Sequence, residues 1–218
     1  LFRELDCPGL ELVTPSHIDP EPGEPLTAYA RRVAERFDVD EQTAVGGVSF
    51  GGIVAAEIAR QVPCAALVQI ASTRSPREVA PLFVLAERIS HLASDGILRR
   101  AARTDPRVVS LIEPLSPPHR ELLMAMFRDT PPAVLRRGAD MVLRWAGAPR
   151  PACPCHRIHG GKDRVIRAKR REVDVWVPDG GPLLAFTHAG IVSDFLQRRL
   201  AEAGREDQRG RQVLEAAP

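Results

Sequence analysis

Gly47-Val48-Ser49-Phe50-Gly51 fits the pattern G-x-S-x-G. A serine hydroxyl becomes a useful nucleophile when the chain pushes it out of a sharp, strained turn and a base can take its proton. Gly47 and Gly51 are expected to let the backbone pass close on both sides of that turn. The amide of Phe50, at the start of a following helix, is expected to point at the space above Ser49, where an oxyanion would form. The same letters also fit a glycine-rich turn with an incidental serine; the strand before it and the helix after it favour the nucleophile. Asp163 is the second candidate. It lies just past the carboxyl end of a predicted strand, where α/β sheets bind their ligands. Its plainer reading is a turn residue paired with Lys162 or Arg164. Cys153-Pro154-Cys155 is C-x-C without the second ligand pair that a structural zinc site needs, so no metal and no cofactor are expected.

These residues need a scaffold, and the pattern of the chain supplies one. Val45 to Val48 runs apolar into the turn, and Ile53 to Ala59 is amphipathic, giving strand, turn and helix. Leu26, Tyr29, Ala30, Val33, Ala34 and Phe37 recur at helical spacing, so a helix is predicted over about 25–37. Residues 65–70 read as a buried strand after Pro63. Leu10–Thr14 reads as a further strand, and residues 1–8 as a short piece of helix. Strands alternating with helices through short links imply a mostly parallel sheet. That rhythm breaks over 75–150, where helices are predicted at 79–90, 121–127 and 131–145. It returns with strands at 155–159 and 173–177 and a helix over about 189–203. The expected organisation is a core over 1–74, a helical cap insertion over 75–150, a second core segment over 151–203, and a frayed tail over 204–218.

Composition narrows the function classes. The chain has 218 residues, 44% hydrophobic, with a net charge of +2, so there is no electrostatic case for nucleic acid or a membrane surface. No apolar run approaches the roughly 18 residues that a spanning helix needs. Four cysteines without a disulfide framework, Cys64 among them as an expected buried thiol, suit a reduced, cytoplasmic protein.

At this point the sequence resembles the α/β-hydrolase fold superfamily over roughly residues 1–200. Glu24-Pro25-Leu26-Thr27-Ala28-Tyr29-Ala30 resembles the segment that opens the helix before the nucleophile, and Gly47 to Gly51 resembles the elbow itself. His159 to Ile166 resembles H-G-x-x-D-x-x-I, and Val177-Pro178-Asp179-Gly180-Gly181 resembles the start of V-P-G-G-G-H. The resemblance implies an α/β fold of α/β-hydrolase type, with Ser49 as nucleophile, Phe50 supplying an oxyanion amide, and Asp163 as the acid that orients a histidine. The implied activity is hydrolysis of an ester, thioester or related small acyl substrate.

The sequence departs from that pattern twice. The catalytic histidine of the family falls on Pro182, which cannot act as a base. The nearest histidine is His188, six residues on, which reads either as a relocated base or as a surface residue at a helix start. The family also places a strand and oxyanion loop before the first helix, so the chain is expected to be N-terminally truncated. Two function classes therefore stand side by side: a serine hydrolase, and a non-catalytic pseudo-hydrolase or gene fragment. A lyase or a C–C bond hydrolase on the same fold is compatible with the elbow as well. Phe83, Leu85, Met124, Met126, Phe127, Met141 and Trp145 read either as an apolar pocket wall in the cap or as ordinary helix packing.

Overall fold

Leu26, Tyr29, Ala30 and Ala34 form one stripe of the first helix, α1 (Leu26–Arg36), and all four are buried. The computed structural model describes residues 2, 4–14, 18–81 and 115–201. The stripe of α1 packs against α2 (Phe50–Gln61), which follows the strand β1 (Ala44–Val48) and precedes β2 (Ala66–Ile70). β1 and β2 run parallel, with Ala44 opposite Ala66 and Val48 opposite Ile70. β2 is buried at all five positions, as befits a parallel strand covered on both faces.

Among the described residues, two α-helices lie between β2 and the next strand. α3 (Pro117–Asp129) starts where the Ser116 hydroxyl accepts from the His119 amide, a serine N-cap. α4 (Pro132–Arg144) begins on a proline whose missing N–H would have been unpaired anyway. β3 (Cys155–Gly160) and β4 (Val175–Val177) then complete a four-stranded parallel sheet in the order β1-β2-β3-β4. A short helix α5 (Leu184–Thr187) leads to α6 over 189–201.

Side chains alternate across the sheet, so each face builds its own core. Leu67 points to the side where Ile53, Ala56, Met141 and Trp145 gather. Val68, Ile70, Ile158 and Val177 face Leu184, Val192, Phe195 and Leu196. Full burial of side chains such as Phe195 and Leu196 contributes about 1.5–3 kcal/mol each, and this holds α6 across the sheet.

Several expectations change. Leu10–Thr14 is not a strand: it has no regular structure, and residues 11–14 are exposed. A strand exists only with a hydrogen-bonding neighbour, and among the described residues β1 pairs with β2 alone. Among the described residues of 1–8 there is no helix; the Leu5 amide donates to Phe2 O at 3.2 Å in a single turn. This stretch still docks, because Phe2, Leu5 and Leu10 pack on the α6 side and the Asp6 amide donates to Ser193 Oγ. The strand predicted over 173–177 shortens to β4, since the Asp174 carboxylate turns to accept from the Arg157 amide at 2.6 Å. Of the helix predicted over 79–90, Val79 instead forms an isolated antiparallel bridge with Ile166; the part from residue 82 on, with Phe83 and Leu85, and the tail over 204–218 lie outside the described residues. No described helix is long and apolar enough to cross a membrane.

Candidate functional site

The turn at Ser49 is built from backbone. Ser49 has φ 51° and ψ −118°, a region that a residue with a β-carbon enters at a cost of order 1–3 kcal/mol unless its surroundings hold it there. Here they do. The Ser49 amide donates to Ile70 O at 3.1 Å, and its carbonyl accepts from the Gly52 and Ile53 amides. The Ser72 hydroxyl donates to the same carbonyl at 2.7 Å. With the backbone fixed from four directions, the Ser49 hydroxyl makes no hydrogen bond among the described residues.

The glycines divide this work differently from expectation. A β-carbon on Gly47 would collide with the backbone of Gly51, and one on Gly52 would collide with Ser72. A β-carbon on Gly51 would meet open space. The close approaches thus require Gly47 and Gly52, while Gly51 of the motif is not needed for room. Phe50 is the first residue of α2, so its N–H has no carbonyl one turn earlier to bond. Its ring lies 6.4 Å from that of Tyr29, and a β-carbon on Gly138 of α4 would sit 3.8 Å from its edge. α4 therefore lies over the start of α2.

α4 is anchored by charge as well as packing. Glu57 of α2 is 1% exposed, and a buried carboxylate is costly unless it is paired. It accepts from Trp145 Nε1 at 2.8 Å and forms an ion pair with Arg60 at 2.8 Å. Met141 and Trp145, two of the candidate pocket-wall residues, belong to this packed core.

Asp163 follows β3 on the same edge of the sheet at which Ser49 follows β1. Its Oδ1 accepts from the amides of Val165 at 2.8 Å and Ile166 at 2.9 Å. Its Oδ2 lies 3.4 Å from Nε2 of His159. That ring nitrogen also sits 2.9 Å from the Ile166 carbonyl. Two acceptors around one nitrogen require that Nε2 carry the proton. Burial pushes the His159 ring down to about 4, with Arg157 adding to the effect against the opposing pull of Ile166 and Glu78. His159 is therefore neutral at neutral pH, and it holds the loop that carries Asp163.

His188 stands directly before α6, at a helix start as expected, but its side chain is not on the open surface. It caps the end of α5, and its carbonyl accepts from Val192 in α6. Its side chain is 17% exposed. Nδ1 lies 2.9 Å from Thr187 Oγ1, and Nε2 lies 3.5 Å from Asp179 Oδ2. The carboxylate that meets this ring is thus Asp179, in the turn after β4, whereas Asp163 is engaged by its own turn and by His159. Asp179 is held below the usual carboxylate range by its own amide and then by the His188 ring. Sequence reasoning passed over Asp179; its place in Pro178-Asp179-Gly180, a turn closing a parallel strand, was the available signal. Pro182 is buried.

A cleft of about 490 Å³ opens elsewhere, lined by Thr73, Arg74, Glu78, Arg150, Arg157 and Asp174 among others. Arg157 and Glu78 form an ion pair there at 2.5 Å. Ser49, Asp163 and His188 do not line it.

The mostly parallel sheet with its helices agrees with solved structures. An esterase from Thermogutta terrifontis superposes with a TM-score of 0.63 at 18% identity, covering 86% of this chain and 75% of that one. An esterase from Exiguobacterium antarcticum gives 0.59 at 13% identity, over 84% and 76%. The chain has an α/β-hydrolase fold. The type II thioesterase BorB from the borrelidin biosynthetic cluster matches at 0.51 and 23% identity, over 80% and 74%. No family model matches the sequence, and no curated protein matches it either.

Proposed function

We propose that this chain is a serine hydrolase of small ester or thioester substrates. The observation that carries the reading is the backbone of Ser49, held at φ 51° and ψ −118° with its hydroxyl outside the local hydrogen bonding. In this reading the Ser49 oxygen attacks the acyl carbonyl carbon, and His188 takes the hydroxyl proton. The Phe50 N–H donates to the oxyanion. The C–O or C–S bond then breaks, the leaving alcohol or thiol takes the proton, and water releases the acid from Ser49 by the same steps. Asp163 was the orienting acid expected from the sequence. The contacts favour Asp179 for that task, because it meets the His188 ring, and leave Asp163 to shape the loop after β3. The esterase and thioesterase neighbours support the substrate class.

One observation favours a second reading, a non-catalytic protein of the same fold. Pro182 stands where the family's histidine is expected, and it is buried. Hydrolysis of p-nitrophenyl acetate separates the two. The first reading predicts a turnover that Ser49→Ala lowers by roughly 10³-fold or more and His188→Ala by roughly 10²–10⁴-fold. Equal activity in parent and Ser49→Ala overturns it. A folded but inert parent gives the second reading. An unaffected His188→Ala removes His188 as base.

A further inference from the structure

The register of β2 against β3 has a consequence at their leading ends. Leu67 stands opposite Cys155, and the Leu67 amide donates to Pro154 O at 2.8 Å. The residues just ahead of the two strands therefore run side by side. Cys64 and Cys153 meet there although they are 89 positions apart, with their sulfur atoms at 3.3 Å. Both are free thiols, as is Cys155, two residues further along. All three pack on the same core. A disulfide bond is about 2.05 Å long, so closing this gap asks each sulfur to move by only about 0.6 Å.

We propose that Cys64 and Cys153 are a redox-active dithiol that hydrogen peroxide converts to a disulfide. Cys153 is partly exposed and Cys64 is buried, so the oxidant reaches Cys153 first. The Cys153 thiolate attacks a peroxide oxygen, the O–O bond breaks, and Cys153 becomes a sulfenic acid with loss of water. The Cys64 sulfur then attacks the Cys153 sulfur. The S–O bond breaks, and the departing hydroxide takes the Cys64 proton and leaves as a second water. Two thiols lose two electrons in all, and one peroxide becomes two waters. Burial, then the contact with Cys153, pushes the Cys64 thiol up to about 12. The second step is therefore slow at neutral pH and quickens as pH rises, because the thiolate is the attacking form.

The bond would close a loop that contains α3 and α4. It would pin the two ends of the insertion, where the Ala148 amide already donates to Arg74 O at 2.9 Å. This inference does not depend on the hydrolase reading.

The test uses the full chain, reduced, desalted and exposed to hydrogen peroxide at neutral and mildly alkaline pH. The expected product loses two hydrogens in mass and two of its four free thiols, and its peptide map joins residues 64 and 153. It forms faster at the higher pH, and dithiothreitol reverses it. Its melting temperature rises by about 5–10 °C, as closing a long loop implies. Cys155→Ser keeps the link, and Cys64→Ser leaves a Cys153 sulfenic acid that dimedone traps. A Cys153–Cys155 link overturns the proposal, and so does over-oxidation of Cys153 with no bond to Cys64.

Discussion

His159→Gln is expected to flatten part of the acid limb of the stability curve. In the folded chain the ring is buried beside Asp163 and Ile166 O, and burial, aided by Arg157, takes its value down to about 4 from the ordinary 6.5. Above pH 6.5 the ring is neutral in both folded and unfolded chains, and its contribution to stability is fully present. Between 6.5 and 4 the unfolded chain binds a proton that the folded chain refuses, so acid favours unfolding. Below 4 both states bind it and the loss is complete. The interval from 6.5 down to about 4, at 1.36 kcal/mol per pH unit, amounts to about 3 kcal/mol. Glutamine can place an amide N–H where Nε2 now serves Ile166, and it does not titrate. Denaturant midpoints of parent and variant across this window supply the assay. Carboxylates titrate in both proteins, so the difference between the two curves isolates the ring. The gap is predicted to shift in the variant's favour by about 3 kcal/mol from neutral pH to pH 4. A difference that stays flat across the window would refute the burial argument and, with it, the neutral state assigned to His159.

Two further perturbations follow from the packing. Gly47→Ala is expected to cost about 1–3 kcal/mol by overpacking against Gly51 and to abolish any reaction at Ser49, whereas Gly51→Ala, facing open space, is expected to be neutral or slightly stabilising; paired melting curves check this, and equal losses would contradict it. Trp145→Phe keeps the ring packing but removes the indole N–H from buried Glu57, which is expected to cost about 2 kcal/mol and lower the melting temperature by roughly 4–8 °C; an unchanged melting temperature would mean that the bond contributes nothing to holding α4.

The sheet and the elbow were legible because their signals are local. Val45 to Ala59 carries strand, turn and helix in consecutive residues, and α1 declares its buried stripe by spacing alone. Leu10–Thr14 has the composition of a strand, but pairing depends on a neighbour that no window of sequence displays. Glu57 reads as a polar position on an amphipathic helix; its burial depends on Trp145, 88 positions away. The same holds for Cys64 and Cys153, which meet only through the register of two strands. The G-x-S-x-G pattern marked the turn at Ser49 but assigned the wrong second glycine to its close approach, since the collision that matters involves Gly52 and Ser72. Around His188 the motif ran out at Pro182, and the ring's contacts with Thr187 and Asp179 come from the turn between α5 and α6, whose short first helix has no periodic signal.

Covalent labelling with a fluorophosphonate tests the nucleophile directly. The reactive hydroxyl inferred here predicts a single adduct, mapped to the peptide containing Ser49 and absent from a folded Ser49→Ala variant. A folded parent that takes no label, or takes it at another residue while Ser49 stays free, would contradict it.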